Sequence, residues 1–193
     1  MIARQFWYET VICTPARDTV QATFTADLVA LLKYSPEAKW MLCQGSYIPN
    51  NRIKLVHTAM EAGASYILFI DSDMRFPPDT IGRLLKADKD IVGANCKQRS
   101  QNEWTARKNG KFINSTDQKG LEEVDTLGFG VTLIDMKVFK IPEPWFAMPY
   151  HTQDKKLIGE DVYFCTVAKE QGFKIWIDHD LSQEVKHTGT VEF

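Results

Sequence analysis

The sequence predicts an α/β fold: one domain on a mainly parallel mixed sheet flanked by helices. Three observations predict it. Short apolar runs alternate with amphipathic helical patterns through the first half of the chain, the rhythm of a parallel sheet between helical layers. Residues 66–70, Tyr-Ile-Leu-Phe-Ile, are apolar on both faces, as a strand buried at the centre of such a sheet must be. That run stops abruptly at Asp71-Ser72-Asp73. In open α/β sheets ligands bind just beyond the carboxyl ends of the strands, so these carboxylates fall where a site belongs.

Residues 6–13 are apolar and aromatic and read as the first strand. Asp18 is placed to cap a helix whose Val20, Phe24, Leu28, Leu31 and Leu32 form a stripe of 3.6-residue period. Residues 40–44 read as the second strand. Asn50 or Asn51 is placed to cap a helix with Ile53, Val56 and Met60 on one face, ended by Gly63. After the aspartate-bearing strand, Pro77-Pro78-Asp79 starts a short helix carrying Ile81, Leu84 and Leu85. Residues 90–94 read as another strand.

The second half is less regular. Short strands are expected around residues 104–107 and 111–113, and extended structure over 124–134 broken at Gly128-Phe129-Gly130. Three prolines within residues 142–149 make that stretch a loop. Residues 150–158 are polar and lysine-bearing and read as a mobile segment. A helix over 160–171 and a strand over 173–177 follow. No linker or repeat divides the chain. One domain is expected, with a nucleotide-binding half over about residues 1–95 and an acceptor half over about 96–193.

The 193 residues are 44% hydrophobic and 25% charged with a net charge of −2, ordinary for a soluble globular protein. No basic surplus points to nucleic acid. No apolar run is long enough to span a bilayer. The start of the chain lacks a signal-peptide pattern, so a cytoplasmic location is expected. Cys13, Cys43, Cys96 and Cys165 show no Cys-x-x-Cys spacing and read as reduced, mostly buried thiols.

Four groups of residues can carry chemistry. Asp71 and Asp73 suit Mg²⁺ or Mn²⁺, which takes one or two carboxylates and completes its shell with substrate phosphates. The same pair also suits turn and cap chemistry ahead of the two prolines. Gly159-Glu160-Asp161 opens a helix. Acidic residues there complement the dipole, and Asp161 could equally serve as a general base, with the preceding segment as a lid. His187 offers an imidazole near the C-terminus that could join the metal. Arg52 lies in the first turn of a helix, an unfavourable place for a cation, which hints at a grip on phosphate or on an aspartate. Thr14-Pro15-Ala16-Arg17-Asp18 follows the first strand and would meet the sheet's ligand edge.

Taken together and in this order, these pieces resemble a GT-A-fold glycosyltransferase, especially the small family-2-like enzymes of bacteria, phages and large viruses. The resemblance covers most of the chain and rests on Thr14-Pro-Ala-Arg17, Asn51-Arg52, Asp71-Ser-Asp73, Gly128-Phe-Gly130, Pro144-Trp-Phe146, Gly159-Glu-Asp161 and His187-x-Gly189. It implies a single-domain, Rossmann-like GT-A fold and a metal-dependent transfer of sugar from a nucleotide-sugar, such as a UDP- or GDP-sugar, to a hydroxyl of a glycan or glycoprotein. By this likeness Asp71, Asp73 and His187 hold Mn²⁺ or Mg²⁺, and Asp161 is the base of an inverting reaction. Thr14, Pro15, Arg17, Ser46, Arg52 and Ser72 join Asp71 and Asp73 around the donor. Gly128, Trp145 and Glu160 face the acceptor. Many relatives carry an acidic residue after the second strand that reads the base; here the chain has Gln44-Gly45-Ser46, which leaves the nucleotide open.

Two other classes share part of this pattern. A sugar-phosphate nucleotidyltransferase shares the sheet and metal but carries a glycine-rich loop where this chain has Thr-Pro-Ala-Arg-Asp. A non-catalytic carbohydrate-binding protein on the same fold would not need the acidic and histidine set.

Overall fold

A computed structural model describes residues 10–98, 103–153 and 155–188. In chain order its elements begin with β1 (Thr10–Ala16), α1 (Ala22–Tyr34), β2 (Lys39–Gln44), α2 (Ile48–Glu61), β3 (Tyr66–Ile70) and β4 (Met74–Arg75). Next come α3 (Thr80–Lys86), β5 (Ile91–Gly93), β6 (Arg107–Lys108), β7 (Lys111–Phe112), β8 (Leu121–Val124) and β9 (Val131–Asp135), which runs into a 3₁₀ turn, Met136–Lys140. The chain continues through β10 (Tyr150–His151), β11 (Lys156–Leu157), α4 (Glu160–Glu170), β12 (Ile175–Asp178), α5 (His179–Ser182) and β13 (Lys186–His187).

Among the described residues, seven strands form one sheet in the order β2-β1-β3-β9-β5-β12-β8. β2, β1 and β3 pair in parallel, as do β5 and β12, while β9 enters antiparallel between β3 and β5 and β8 closes one edge antiparallel to β12. Five strands therefore share one direction and two oppose it, the mixed, mainly parallel sheet expected from the alternation.

The two-residue period of the strands sorts the core into two layers. Val11, Cys13, Ile67 and Phe69 face one way, against Leu55, Val56 and Ala59 of α2 and Phe164, Cys165 and Ala168 of α4. Ile12, Leu68 and Ile70 face the other way, against Phe24, Leu28 and Leu31 of α1 and Ile81 and Leu84 of α3. On the first face Phe129, Phe139, Phe146 and Phe164 make an aromatic cluster; Phe146 stacks on Phe164 with centroids 5.2 Å apart. Helices on both faces explain why β3 had to be apolar throughout.

Three local readings are corrected. Asp18 does not cap α1: Gln21 occupies the cap, and the Asp18 carbonyl instead accepts a hydrogen bond from Gln44 Nε2 at 2.8 Å. Neither Asn50 nor Asn51 caps α2, which starts earlier, after Tyr47, with Pro49 in its first turn. Pro is favoured there because its missing N–H costs no helical bond. Within α2 the buried face is Asn51, Arg52, Leu55, Val56 and Ala59, while Met60 is exposed. Residues 150–158 contain the small antiparallel pair β10–β11. The first strand is expected from residue 6, and residues 6–9 lie outside the described residues.

The four cysteines are free thiols, as read, with Cys43 half-buried and the other three buried. Burial pushes the Cys13, Cys96 and Cys165 thiols up, to about 12 for Cys165, which keeps them protonated and unreactive. No helix among the described residues is long and apolar enough to cross a membrane.

Phe164→Ala, which opens a cavity under a side chain of zero exposure, should cost about 3–5 kcal/mol in denaturant unfolding.

Candidate active site

β3 delivers Asp71 to the carboxyl edge of the sheet, and the following turn is pinned on three sides. Asp71 N donates to the Gly130 carbonyl at 3.0 Å, Gln21 N to the Ser72 carbonyl at 3.0 Å, and Thr188 N to the Asp73 carbonyl at 2.8 Å. Segments far apart in sequence, before α1, before β9 and after β13, thus converge on three consecutive residues.

The charge at the centre of the site is Arg52, the fifth residue of α2 and only 2% exposed. Its Nη2 donates to Asp71 Oδ1 at 2.9 Å and its Nε to Glu160 Oε1 at 3.3 Å. The guanidinium lies 5.1 Å from the Phe69 ring centroid and 5.6 Å from that of Phe129, so the cation is held by ring faces as well as carboxylates. Nη1 is buried and makes no hydrogen bond among the described residues. Burial alone would lower the Arg52 pKa, but Asp71, Glu160 and Asp161 outweigh it and the net shift is upward. The earlier start of α2 takes Arg52 out of the first turn expected for it, and its two carboxylate partners make the cation a built feature of the site.

Desolvation pushes the Asp71 carboxyl above its usual range, with Asp73 and Glu160 adding to the rise and Arg52 opposing it. Desolvation likewise pushes Asp161 up to about 6, helped by Glu160 and opposed by the Val162 N–H, which Asp161 Oδ1 accepts at 2.7 Å. A Cβ on Gly159 would stand 2.8 Å from Asp161 Oδ1, so the glycine leaves the carboxylate its room.

An open cleft of about 840 Å³ runs over these residues. Arg52, Asp71, Ser72, Asp73 and Glu160 line it, with Pro15, Arg17 and Ser46 at the ends of β1 and β2. The structure thus gathers eight of the sequence-read residues into one cavity. Others stand elsewhere. Thr14 has zero exposure, and its hydroxyl accepts the Trp40 indole N–H at 3.0 Å, so it serves the sheet and not the cleft. Trp145 is 3% exposed, donates Nε1–H to the Ile141 carbonyl at 2.9 Å and packs on Phe139, so no face is open for a sugar ring. Gly128 is buried under Thr105. Neither lines the cleft, because the aromatic core beneath β9 claims that part of the chain. Asp161 and His187 are also absent from the lining, where their neighbours Glu160 and Thr188 stand. Gly189 lies outside the described residues. The wall also includes Thr19, Gln21, Tyr47 and Met148, which no motif announced, since loops reach the site only through tertiary folding.

Asp71 and Asp73 are the residues that could hold a hard cation. Asp71, Glu160 and Asp161 act on the buried Arg52, and Asp73 acts on Asp71, so carboxylates outnumber the cation they meet, a balance that a divalent ion would offset. Among the described residues no three His, Cys, Asp or Glu side chains stand together as a ready metal cage. His187 Nδ1 donates to the Lys97 carbonyl at 2.5 Å, which leaves Nε2 as the acceptor nitrogen.

Comparison with known proteins bears on the fold. The Anp1 family model matches residues 45–140, the span that carries Arg52 and the two aspartates. The crystal structure of A197 from STIV superposes with a TM-score of 0.67 at 17% identity, covering 95% of this chain and 86% of that one. The structure of S. aureus TarS 1-349 superposes with a TM-score of 0.55 at 14% identity, covering 93% of this chain and 60% of that one. A search of curated proteins found no match. The chain has a GT-A-like glycosyltransferase fold.

Arg52→Met strands two carboxylates and should destabilise the fold by about 3 kcal/mol near neutral pH. Without Arg52 the folded-state pKa of Asp71 rises further above its unfolded value. The penalty should therefore be small below the unfolded pKa and grow as pH rises through the folded one. Urea melts of both proteins at pH 4.5 and 7.5 check this.

Proposed function

We propose that this protein is a metal-dependent glycosyltransferase that moves a sugar from a nucleotide-sugar to a hydroxyl of a glycan or glycoprotein. One observation carries the reading: a cleft at the carboxyl edge of a GT-A-like sheet in which the buried Arg52 pairs with Asp71 and Glu160 and Asp73 stands on the same wall. Pro15, Arg17 and Ser46 then line the end that takes the nucleoside, and Asp71, Ser72 and Asp73 the end that takes the diphosphate. Asp71 and Asp73 are the residues that would hold Mn²⁺ or Mg²⁺, with His187 Nε2 as the third candidate donor. Such an ion, when bound, neutralises the departing diphosphate. Arg52 Nη2 donates to Asp71 Oδ1, which orients that carboxyl and opposes the rise that burial imposes on its pKa.

The chain's own acid–base chemistry falls to the start of α4. As the acceptor oxygen bonds to the anomeric carbon, its proton passes to Asp161, and the bond to the diphosphate breaks with its electron pair leaving on phosphate oxygen. Attack opposite the leaving group inverts the anomeric configuration. A carboxyl pushed up to about 6 is a stronger base than an ordinary aspartate yet ionised at neutral pH. The cleft lining favours a second assignment of the base, Glu160, which faces the cavity but is tied to Arg52.

With Asp161 as base, Asp161→Asn should lower kcat by 10²-fold or more, as the usual size of general-base catalysis requires. Glu160→Gln should then keep a measurable rate; the reverse pattern transfers the role to Glu160. The wild-type rate should fall on the acid side with an apparent pKa near 6. The same Asp161→Asn change keeps an acceptor for Val162 N–H and removes a desolvated charge. A carboxyl whose folded pKa is raised costs stability as pH climbs through that value. The variant should therefore melt a few degrees higher at pH 7.5 and no higher at pH 4. Exhaustive chelation should abolish transfer and added Mn²⁺ or Mg²⁺ restore it; full activity after chelation would remove the metal from the reading.

A further inference from the structure

Asn51 read as a helix cap in the sequence, yet it sits inside α2, 2% exposed, and is spent on two other elements. Its Nδ2 donates to the Ala16 carbonyl at 3.2 Å and to the Gly45 carbonyl at 2.8 Å. Its Oδ1 accepts from Cys43 Sγ at 3.7 Å. Ala16 ends β1, and Gly45 follows the last residue of β2. The Ala16 carbonyl also accepts Gly45 N at 3.0 Å, so one buried amide and one backbone bond knot the ends of both strands to α2.

The carbonyls that Asn51 holds are flanked by residues of the cleft. Pro15 and Arg17 stand on either side of Ala16, and Ser46 follows Gly45. Space is as tightly set as the hydrogen bonds. A Cβ on Gly45 would come within 2.7 Å of Asn51 Oδ1, a separation that real contacts do not tolerate, so the pair closes only with glycine at 45. The next residue on the helix, Arg52, grips Asp71 and Glu160. One helical turn thus fixes both ends of the cleft through adjacent residues.

We infer that Asn51 is the positioning residue for the nucleoside end of the cleft, setting the spacing between the β1 and β2 ends against which the nucleotide packs. This rests on the glycosyltransferase reading and deepens it. The amide must be an amide: two backbone carbonyls need a donor, and a carboxylate of the same shape would repel both. The role separates from that of Arg52 because Asn51 touches neither the diphosphate-side carboxylates nor the start of α4.

Two variants test it. Asn51→Asp keeps shape and loses the donor; Gly45→Ala leaves Asn51 in the chain but displaces its amide. Each is measured for UDP and GDP binding with Mn²⁺ by calorimetry, for kcat and donor KM, and for Tm. In each variant that keeps a cooperative melt, the nucleotide Kd and donor KM should rise at least tenfold, with kcat at saturating donor within about threefold of wild type and acceptor KM unchanged. Nucleotide Kd within twofold of wild type in either folded variant overturns the proposal, as does a fall in kcat without a change in Kd. Unfolding of both variants would also overturn it, making Asn51 a residue of the fold alone. Failure of the wild-type protein to bind either nucleotide would instead overturn the transferase reading, and this inference with it.

Discussion

A single buried guanidinium organises this molecule. Arg52 is surrounded by apolar sheet and ring faces, where an unpaired cation would be intolerable, so Asp71 and Glu160 must come to it. Asp71 belongs to the end of β3 and Glu160 to the start of α4, more than a hundred residues from Arg52 in the case of Glu160. The pairing therefore binds the first-half sheet to the last helix. It fixes where the cleft lies and what charge the cleft carries.

That constraint has a chemical consequence. One arginine does not balance the carboxylates that the fold draws together, so the site keeps a negative excess in a poorly solvated place. Asp71 and Asp161 register the excess as raised pKa values, each driven first by loss of water. Under the proposed transferase reading, such a site would take up a cation and hold a carboxylate ready for a proton. It costs the fold stability that a neutral site would have retained, a cost characteristic of functional positions.

The sequence made the central strands of the first half legible because β1, β3 and β5 are buried and largely apolar, while the edge strand β2 is only partly covered, and residues 66–70 match β3 residue for residue. It also located eight residues of the cleft, since strand ends and helix starts can be read along the chain. The failures share one cause. Thr14, Trp145 and Gly128 carry site-like identities, but their side chains or their space are claimed by partners in the core: the Trp40 indole, the Phe139 ring and Thr105. Asn51 fits a cap by residue type, and only the neighbouring strand ends reveal a different use.

The order of short apolar runs, helical stripes and acidic strand ends by itself determined the α/β class, the reduced cysteines and the edge of the sheet where chemistry collects, because each follows from local periodicity and from where polar groups interrupt burial. Only the tertiary structure decided that β9 inserts antiparallel beside β3, that Arg52 joins Asp71 to Glu160, and that Glu160 and Thr188 rather than Asp161 and His187 face the cleft. Those outcomes depend on which distant side chains compete for the same buried space and the same hydrogen bonds, a contest that no stretch of sequence records.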